Sequence, residues 1–417
     1  MIAAVIERCA GIDVGKKVLA VCIMTGAADA EPEIQQREYS TFNRELGRLR
    51  DWLIETGCTH VVMESTGSYW RPVFEILEDS VAVILANPEQ VKSRRGHKTD
   101  WNDACWLAHL LRHDMVRASF IPPRAIRELR DLTRRRKQVL RDATSERNRI
   151  QKVLETANVK VRSVLADVFG VSGQQILEAL LEGNASPEEM AQMVHGRAKA
   201  KVPALIESLA GHRMSEHHRW LIRQSLEHLA FLEQHLIALD ERILQQVESS
   251  GYQPIMTLLE SVPGIQTDSA ACILAEMGAD IQQFPTPERL SSWAGVCPGN
   301  YRSAGVSRSG HIRGGNRWLR NVLVESAWAV ASRKQGVLRE KFWRWAGHGG
   351  RKKALIALAH TLLVIIHHVL LTQQPYAGED APLSEARRKH LIRQHIRKLG
   401  NLGVAVRARS SARYSAV

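Results

Sequence analysis

The order of strand-like and helix-like segments between residues 8 and 115 constrains the fold more than any other feature of this sequence. Three β-rich runs follow one another at Cys9–Val14, Val18–Met24 and Ile34–Ser40. Helical and β-rich segments then alternate: a helix from Asn43, a strand at His60–Glu64, a helix from Tyr69, a strand at Val81–Ala86 and a helix near Asp100. This order predicts an α/β domain with a mixed sheet and helices packed on its faces.

The segment 116–250 does not have the sequence pattern of β-strands. Apolar residues spaced three, four and seven apart predict two long helices of coiled-coil type, suited to nucleic-acid binding or oligomerisation. One helix follows Pro122 and Pro123, and the other begins after Ser215, a residue suited to the N-cap position. Between them, residues 161–213 are predicted to form shorter helices with turns at Gly173 and at 184–187.

The segment 251–372 is predicted to be a third, mainly α domain. It is interrupted by a loop from Gly295 to Asn316 that is rich in glycine, serine and arginine. Its longest apolar stretch, 354–371, contains three histidines, which favours a core helix over a membrane span. The last segment, 373–417, is basic and is predicted to be partly disordered.

The charge balance indicates a polyanionic partner. Lysine and arginine number 57 against 44 acidic residues, for a formal net charge of +13, and such an excess favours binding to phosphate backbones. The six cysteines are scattered with no CxxC pair, so neither a disulfide framework nor a zinc site is predicted. No secretory signal is recognisable, and we expect a cytoplasmic, bacterial, nucleoid-associated protein with no membrane partner.

Four acidic residues have the arrangement that a metal site would need. Asp13 lies in an apolar strand between two glycines, and Glu64 ends another strand. Asp100 and Asp103 begin a helix and share one face of it. Hard carboxylate oxygens suit Mg²⁺, and two such ions can clamp the attacking and leaving oxygens of a phosphodiester. The four acids are therefore predicted to be catalytic ligands of two Mg²⁺ ions, although each one alone could be structural.

These motifs resemble those of the DEDD transposases of bacterial insertion sequences, whose recombination is guided by a bridge RNA. The resemblance rests on Gly-Ile-Asp13-Val-Gly, Glu64-Ser-Thr-Gly-Ser-Tyr and Lys-Thr-Asp100-Trp-Asn-Asp103-Ala. It implies an RNase H-like (RuvC-like) N-terminal catalytic domain at 8–115. It also implies a transposase or site-specific DNA recombinase whose partners are the element ends, the target DNA and a guide RNA.

A second run is similar to the C-terminal domain of the same family. It extends from Leu290 through Gly-Val-Cys-Pro-Gly-Asn-Tyr-Arg-Ser303-Ala-Gly to Gly-Asn-Arg-Trp-Leu-Arg320. The family's nucleophilic serine corresponds best to Ser303, with Ser307 and Ser309 as close alternatives. The resemblance implies a covalent protein–DNA intermediate. It further implies that the serine of one subunit meets the acids of another in a dimer or tetramer.

Arginines supply the predicted contacts to nucleic acid. In the first long helix acidic residues are few, so its basic stripe is expected to be unbalanced and to bind a phosphate backbone. The remaining basic contacts are expected around the serine. The predicted nucleic-acid-binding residues are Arg134, Arg135, Arg136, Arg302, Arg308, Arg313, Arg317 and Arg320.

Two other functions remain open from the sequence. A metal-dependent endonuclease of the Holliday-junction type would use the four acids and water without Ser303. A non-catalytic nucleic-acid-binding protein would need neither, and the presence of all four acids argues against it.

Overall fold

The computed structural model describes residues 4–64, 67–91, 99–297, 301–303, 306–308, 312 and 314–378. The chain divides into two units, Met1–Pro122 and Pro123–Val417, which are described in turn. Most of the predicted disordered tail, from residue 379 onward, lies outside the described residues.

The first unit has the predicted alternation of strands and helices. Its elements, in chain order, are β1 (Arg8–Val14), β2 (Val18–Thr25), β3 (Glu33–Ser40), α1 (Asn43–Glu55), β4 (His60–Glu64), α2 (Trp70–Leu77), β5 (Ala82–Ala86), α3 (Pro88–Val91) and α4 (Asp100–Arg112). Each strand or helix end that the sequence predicts for this unit lies within one residue of the observed end.

The five strands form one mixed sheet in the order β3-β2-β1-β4-β5. The first three strands are antiparallel neighbours, and β4 and β5 run parallel to β1. This order and these directions are those of an RNase H-like fold, so the fold class predicted for the N-terminal domain is confirmed.

Helices cover both faces of this sheet. On one face, Ile12 and Met63 pack with Leu49 of α1 and Val73 of α2. On the other face, Cys9, Cys22 and Val62 pack with α4. The alternation of side chains along a strand therefore gives β1, β2 and β4 two buried faces, whereas most of the edge strand β3 is exposed.

Helix α4 lies directly on β1 and runs antiparallel to it. A Cβ atom added at Gly11 would lie 2.1 Å from the carbonyl oxygen of Ala104, so only glycine permits this approach. At the far end of α4, the buried guanidinium of Arg112 donates hydrogen bonds to the carbonyl oxygens of Glu7 (2.9 Å) and Ala27 (2.8 Å). The C-terminus of α4 is thus fixed beside the start of β1, and its N-terminus lies toward the end of β1.

The second unit is mainly helical. Its elements are α5 (Arg124–Thr156), α6 (Val161–Val164), α7 (Val171–Glu182), α8 (Pro187–Gln192), a 3-10 turn (Gly196–Lys201), α9 (Val202–Leu209), α10 (Glu216–Ser249), α11 (Gln253–Glu260), α12 (Thr267–Met277), a 3-10 turn (Ile281–Gln283), α13 (Pro287–Ala294), β6 (Tyr301–Ser303), β7 (Val306–Arg308), α14 (Arg317–Ala331), α15 (Val337–Gly349) and α16 (Arg351–Thr372).

The two long helices α5 and α10 pack side by side. Val139 and Ala143 of α5 form a small core with Leu229, Leu232 and Leu239 of α10. The predicted N-cap is present, because the Ser215 side chain takes part in a capping box at the start of α10. Periodicity therefore located both helices, although the coiled-coil description itself stays a prediction.

Gly173 corrects one prediction for the region between these helices. It lies inside α7, where a turn was expected, and its added Cβ would be 2.2 Å from the carbonyl oxygen of Val168. The glycine thus serves close packing of a helix against the preceding chain. The turn predicted at 184–187 is present, between α7 and α8.

Helix α16 forms the centre of the C-terminal core. By length and composition it could cross a membrane, but Leu358, Leu362 and Ile366 are fully buried within the unit. The buried His367 donates a hydrogen bond from Nε2 to the carbonyl oxygen of Phe284, at 2.8 Å. These contacts agree with the core helix predicted for 354–371.

Candidate functional site

Asp13 and Glu64 lie at the same end and on the same face of the sheet. In the parallel pair β1 and β4, Gly11 is level with Val62, so Asp13 and Glu64 are level with each other two residues later. Gly11 and Val62 both face α4. Because side chains alternate along a strand, Asp13 and Glu64 are directed to that face as well.

The first turn of α4 brings Asp100 and Asp103 to this end of the sheet. Since α4 runs antiparallel to β1, its N-terminus lies where β1 ends. The Thr99 hydroxyl accepts a hydrogen bond from the backbone amide of Asn102 at 3.2 Å and caps the helix. Asp103 is half-buried and Asp100 is exposed. The four acids predicted from the sequence therefore share one end and one face of the sheet.

The donor set suits Mg²⁺ in kind, because all four groups are carboxylates. However, among the residues that the structure describes, which include these four, no three acidic, histidine or cysteine side chains form a cluster that could hold a metal ion. Carboxylates repel one another unless a cation lies between them. The structure thus gives the four acids a common location without a formed ligand cage.

A pair of cysteines lies on the face of the sheet that α4 covers, where Cys22 is level with Gly11 of β1, two residues before Asp13. The sulfur atoms of Cys22 on β2 and Cys105 on α4 are 2.6 Å apart, and the side-chain amide of Gln36 donates to the Cys105 sulfur at 2.8 Å. The hydrogen bond between the two thiols lowers the pKa of Cys105 and raises the pKa of Cys22. Sequence patterns do not single out this pair, since the two residues are far apart in the chain.

The basic stripe of α5 has acidic partners from other helices. Arg134 forms a bidentate ion pair with Glu276 of α12, with Nε–Oε1 and Nη2–Oε2 distances of 2.7 and 2.8 Å. Arg136 pairs with Asp240 of α10 and with Asp268 of α12, and the hydrogen bond to Asp240 raises the pKa of Arg136.

The expectation of an unbalanced stripe is therefore wrong for Arg134 and Arg136, because their partners are remote in sequence. Arg135, between them, is exposed, and its contact with nucleic acid stays a prediction.

Several guanidinium groups surround Trp318 at the start of α14. The guanidinium carbons of Arg134, Arg141 and Arg317 lie 5.4, 5.2 and 5.2 Å from the centroid of its ring. Arg317 is exposed and Arg320 is half-buried. Cation–π contacts hold such groups near one another in spite of their like charge. Arg141 and Arg317 therefore add positive charge around Trp318, whereas the charge of Arg134 is paired with Glu276.

Ser303 ends β6 in the segment predicted to be a loop. The structure has a two-stranded hairpin there, in which Ser303 pairs with Val306 and Arg302 pairs with Ser307. Arg308 ends β7. Ser309 and Arg313, two of the residues predicted for this site, lie outside the described residues.

Two family models match the chain. The DEDD-type IS110 model, described as a transposase, matches residues 10–159. A model described as a transposase of the IS116/IS110/IS902 family matches residues 256–343. The first range contains the four acids, and the second contains Ser303, Glu276 and Trp318.

Individual proteins are similar over shorter stretches. A Sinorhizobium fredii (strain NBRC 101917 / NGR234) protein named as a transposase, y4qE, is 33% identical over 116 residues, which is 26% of this chain and 28% of that protein. The match therefore spans little more than a quarter of that relative. A structure of Thermus thermophilus RuvC is matched over 27% of this chain and 99% of its own, with 15% identity and a TM-score of 0.22.

Proposed function

Since this chain belongs to the IS110 family of transposases, we propose that it cleaves and rejoins DNA strands to move an insertion sequence. The observation that carries the proposal is the common location of Asp13, Glu64, Asp100 and Asp103 at one end of an RNase H-like sheet. A carboxylate in an apolar strand is costly unless a cation or another partner compensates its charge. Metal-assisted catalysis at a phosphodiester would account for carboxylates at this place.

The four acids would hold two Mg²⁺ ions. Mg²⁺ bound there would stabilise the negative charge that develops on the phosphate and favour deprotonation of the attacking hydroxyl. Asp13 and Glu64 lie on strands and are fixed by the sheet, whereas Asp100 and Asp103 lie on the first turn of a helix. The positive end of that helix dipole also favours anionic groups, including a DNA phosphate.

Ser303 would act as the nucleophile. Its Oγ would form a bond to phosphorus while the bond from phosphorus to one DNA oxygen breaks, and that oxygen would take up a proton. A serine hydroxyl is a weak nucleophile until its proton is removed or its oxygen is coordinated. The phosphoserine ester would keep the energy of the broken bond, so the strand could be rejoined without another energy source.

The arginines near Ser303 would neutralise phosphate charge. Arg317 is exposed beside Trp318, and Arg320 follows one turn later on α14. Arg302, Arg308 and Arg313 are close in sequence to the serine and would act in the same way.

A structured RNA from the flanking non-coding region would supply sequence recognition. Under this division of labour the protein needs to bind only backbone and shape, which agrees with its net charge of +13.

We further propose that the acids at 8–115 of one subunit act with the serine domain at 251–372 of another. The helices in 116–250 would then provide the oligomer contacts, in a dimer or tetramer that works in the cytoplasm on nucleoid DNA.

A denaturing-gel assay for a covalent protein–DNA adduct tests the proposal. Wild-type protein, Ser303→Ala and Asp13→Ala are each mixed with labelled element-end and target DNA, Mg²⁺ and the flanking RNA. We expect an adduct with the wild-type protein, none with Ser303→Ala or Asp13→Ala, and none when Mg²⁺ is chelated. Ser307→Ala and Ser309→Ala serve as matched controls that should retain it.

Cleavage without an adduct, unaffected by Ser303→Ala, would instead identify a metal-dependent endonuclease. Omission of the RNA tests its role separately, since adduct formation at the correct sequence should then be lost.

A further inference from the structure

We propose that Glu276 is a positioning residue for Ser303: its buried carboxylate holds Asn316, and Asn316 closes the neck of the loop that carries the serine. The neck consists of Trp293, Gly295, Gly315 and Asn316. The inference rests on the proposed function, because it assigns Glu276 a role only if Ser303 reacts with DNA.

Glu276 is a buried charge with arginine partners. It lies near the end of α12, is 2% exposed, and forms a bidentate ion pair with Arg134. Arg130 donates hydrogen bonds to the backbone carbonyl oxygens of Ala275 (2.8 Å) and Glu276 (3.0 Å) and keeps the end of α12 against α5. A buried carboxylate that is paired in this way has one defined position.

The carboxylate has a further partner, which is Asn316. The side-chain nitrogen Nδ2 of Asn316 donates a hydrogen bond to Oε2 of Glu276 at 2.7 Å. Its oxygen Oδ1 accepts hydrogen bonds from the backbone amides of Trp318 (3.0 Å) and Leu319 (3.1 Å) and so caps α14. Because one side of the amide must donate and the other must accept, only one orientation of Asn316 satisfies all three hydrogen bonds.

Asn316 is also the point where the two ends of the loop meet. Its backbone amide donates a hydrogen bond to the carbonyl oxygen of Trp293 at 3.0 Å. A Cβ atom added at Gly315 would lie 2.6 Å from the amide nitrogen of Gly295, so the two chain segments are in direct contact. The ring of Trp293 packs against Phe284, with centroids 5.1 Å apart. The neck is thus fixed to the core of the unit.

The hairpin β6–β7, with Ser303 at the end of β6, lies within this loop, between the two ends that meet at the neck. A nucleophile must be held close to its in-line position, and a displacement of about 1 Å can cost roughly a hundredfold in rate. A neck held at both ends restricts the positions available to the hairpin. The charge of Glu276 therefore acts on the reaction through Asn316 and not by contact with DNA.

Two substitutions separate this role from helix capping. Asn316→Asp keeps a good N-cap for α14 but places a second carboxylate against Glu276. The double variant Glu276→Gln/Asn316→Asp restores a hydrogen bond across the contact in the opposite direction, because the amide introduced at position 276 would donate to the carboxylate introduced at position 316. If the contact positions Ser303, the single variant is impaired and the double variant recovers.

The test measures three quantities on the full chain: the rate of covalent adduct formation, non-covalent DNA affinity, and amide hydrogen exchange of neck peptides. We expect Asn316→Asp to lower the adduct rate about tenfold or more, to increase exchange at the neck, and to change DNA affinity by less than about twofold. The double variant should recover most of the rate. Ser186→Ala, which removes the cap of α8, a helix that contains no neck residue, is the matched control for general destabilisation.

Increased exchange at the neck with an unchanged adduct rate would overturn the proposal, as would an adduct rate that falls equally in Ser186→Ala. Unchanged exchange together with an unchanged rate in Asn316→Asp would also overturn it. An adduct that persists in Ser303→Ala would overturn the proposed role of the serine itself, which the other outcomes do not address.

Discussion

Single residues in this protein acquire chemistry from neighbours that are remote in the chain. Cys105 is the clearest case, because Cys22 and Gln36 both reach its sulfur. Burial has the opposite effect on other thiols, because loss of solvent disfavours the thiolate: it raises the pKa of Cys9 to about 11 and that of Cys58 to about 12. Thiolate, not thiol, is the reactive form, so the cysteines should differ widely in reactivity.

Cys105 should be the fastest of these cysteines to react with iodoacetamide at neutral pH. Its pKa is lowered, so its thiolate form is populated at a lower pH than that of an ordinary cysteine, and its reaction rate should reach a plateau earlier as pH rises. Cys22→Ala removes the hydrogen bond, raises the pKa of Cys105 and should slow the reaction at neutral pH. Alkylation of each cysteine, followed by mass spectrometry as a function of pH, measures this.

Cys58→Ala is the matched control, because Cys58 contributes no hydrogen bond to Cys105, and the rate at Cys105 should not change. Equal rates at Cys105 and Cys58 in the wild type would contradict the assignment.

At the scale of elements, the contact between β1 and α4 decides where the acids lie. Gly11 permits α4 to lie against the strand, and Arg112 fixes the far end of the helix. Asp100 and Asp103 reach the site only because α4 has this position and direction.

Gly11→Ala should therefore destabilise the first unit by about 3 kcal/mol, as expected for overpacking against a backbone that cannot yield. Gly47→Ala is the matched control: Gly47 lies within α1 with nothing within 4 Å of an added Cβ, so it should stabilise the unit by about 1 kcal/mol. Amide exchange of β1 peptides in urea measures both. Equal effects of the two substitutions would show that α4 does not press on β1.

Local patterns were sufficient to predict the sheet and the place of the acids. Short continuous apolar runs and the acidic residues near their ends located β1 and β4, and helical spacing placed Asp100 and Asp103 on one turn. Gly173 was misplaced because a glycine used for close packing within a helix has the same local signal as one in a turn.

Contacts between remote residues were not predictable in the same way. Arg134 and Glu276 are 142 residues apart, and no period or spacing relates them. The one local signal was a carboxylate in the otherwise apolar run Ala270–Met277, since a lone buried acid needs a partner.

For the whole molecule, the excess of positive charge predicts strong salt dependence of DNA binding. Each arginine that contacts phosphate contributes about one to the slope of log K against log salt concentration. Arg135 and Arg317 are exposed, whereas the charges of Arg134 and Arg136 have partners within the fold. Net charge alone would therefore overestimate the number of phosphate contacts.

Arg135→Gln and Arg317→Gln should each lower this slope by about one, and weaken binding to all sequences alike. Arg48→Gln is the control, because Arg48 lies on α1 and pairs with Glu45 at 2.7 Å. Fluorescence anisotropy with a labelled duplex over a range of salt concentrations gives the slopes. A slope that is unchanged in both test variants would exclude these two arginines as phosphate contacts.

The ion pairs of α5 also determine where parts of this protein can be exchanged with those of a relative. Arg130 and Arg134 of α5 bind the end of α12, so α5 belongs by its contacts to the unit that begins at Pro123. A chimaera spliced at Pro122 and Pro123 would inherit both arginines and Glu276 from the same parent. A splice after α5 would combine guanidinium groups from one parent with a buried carboxylate from the other, and the hybrid would be destabilised wherever the parents do not share that pairing.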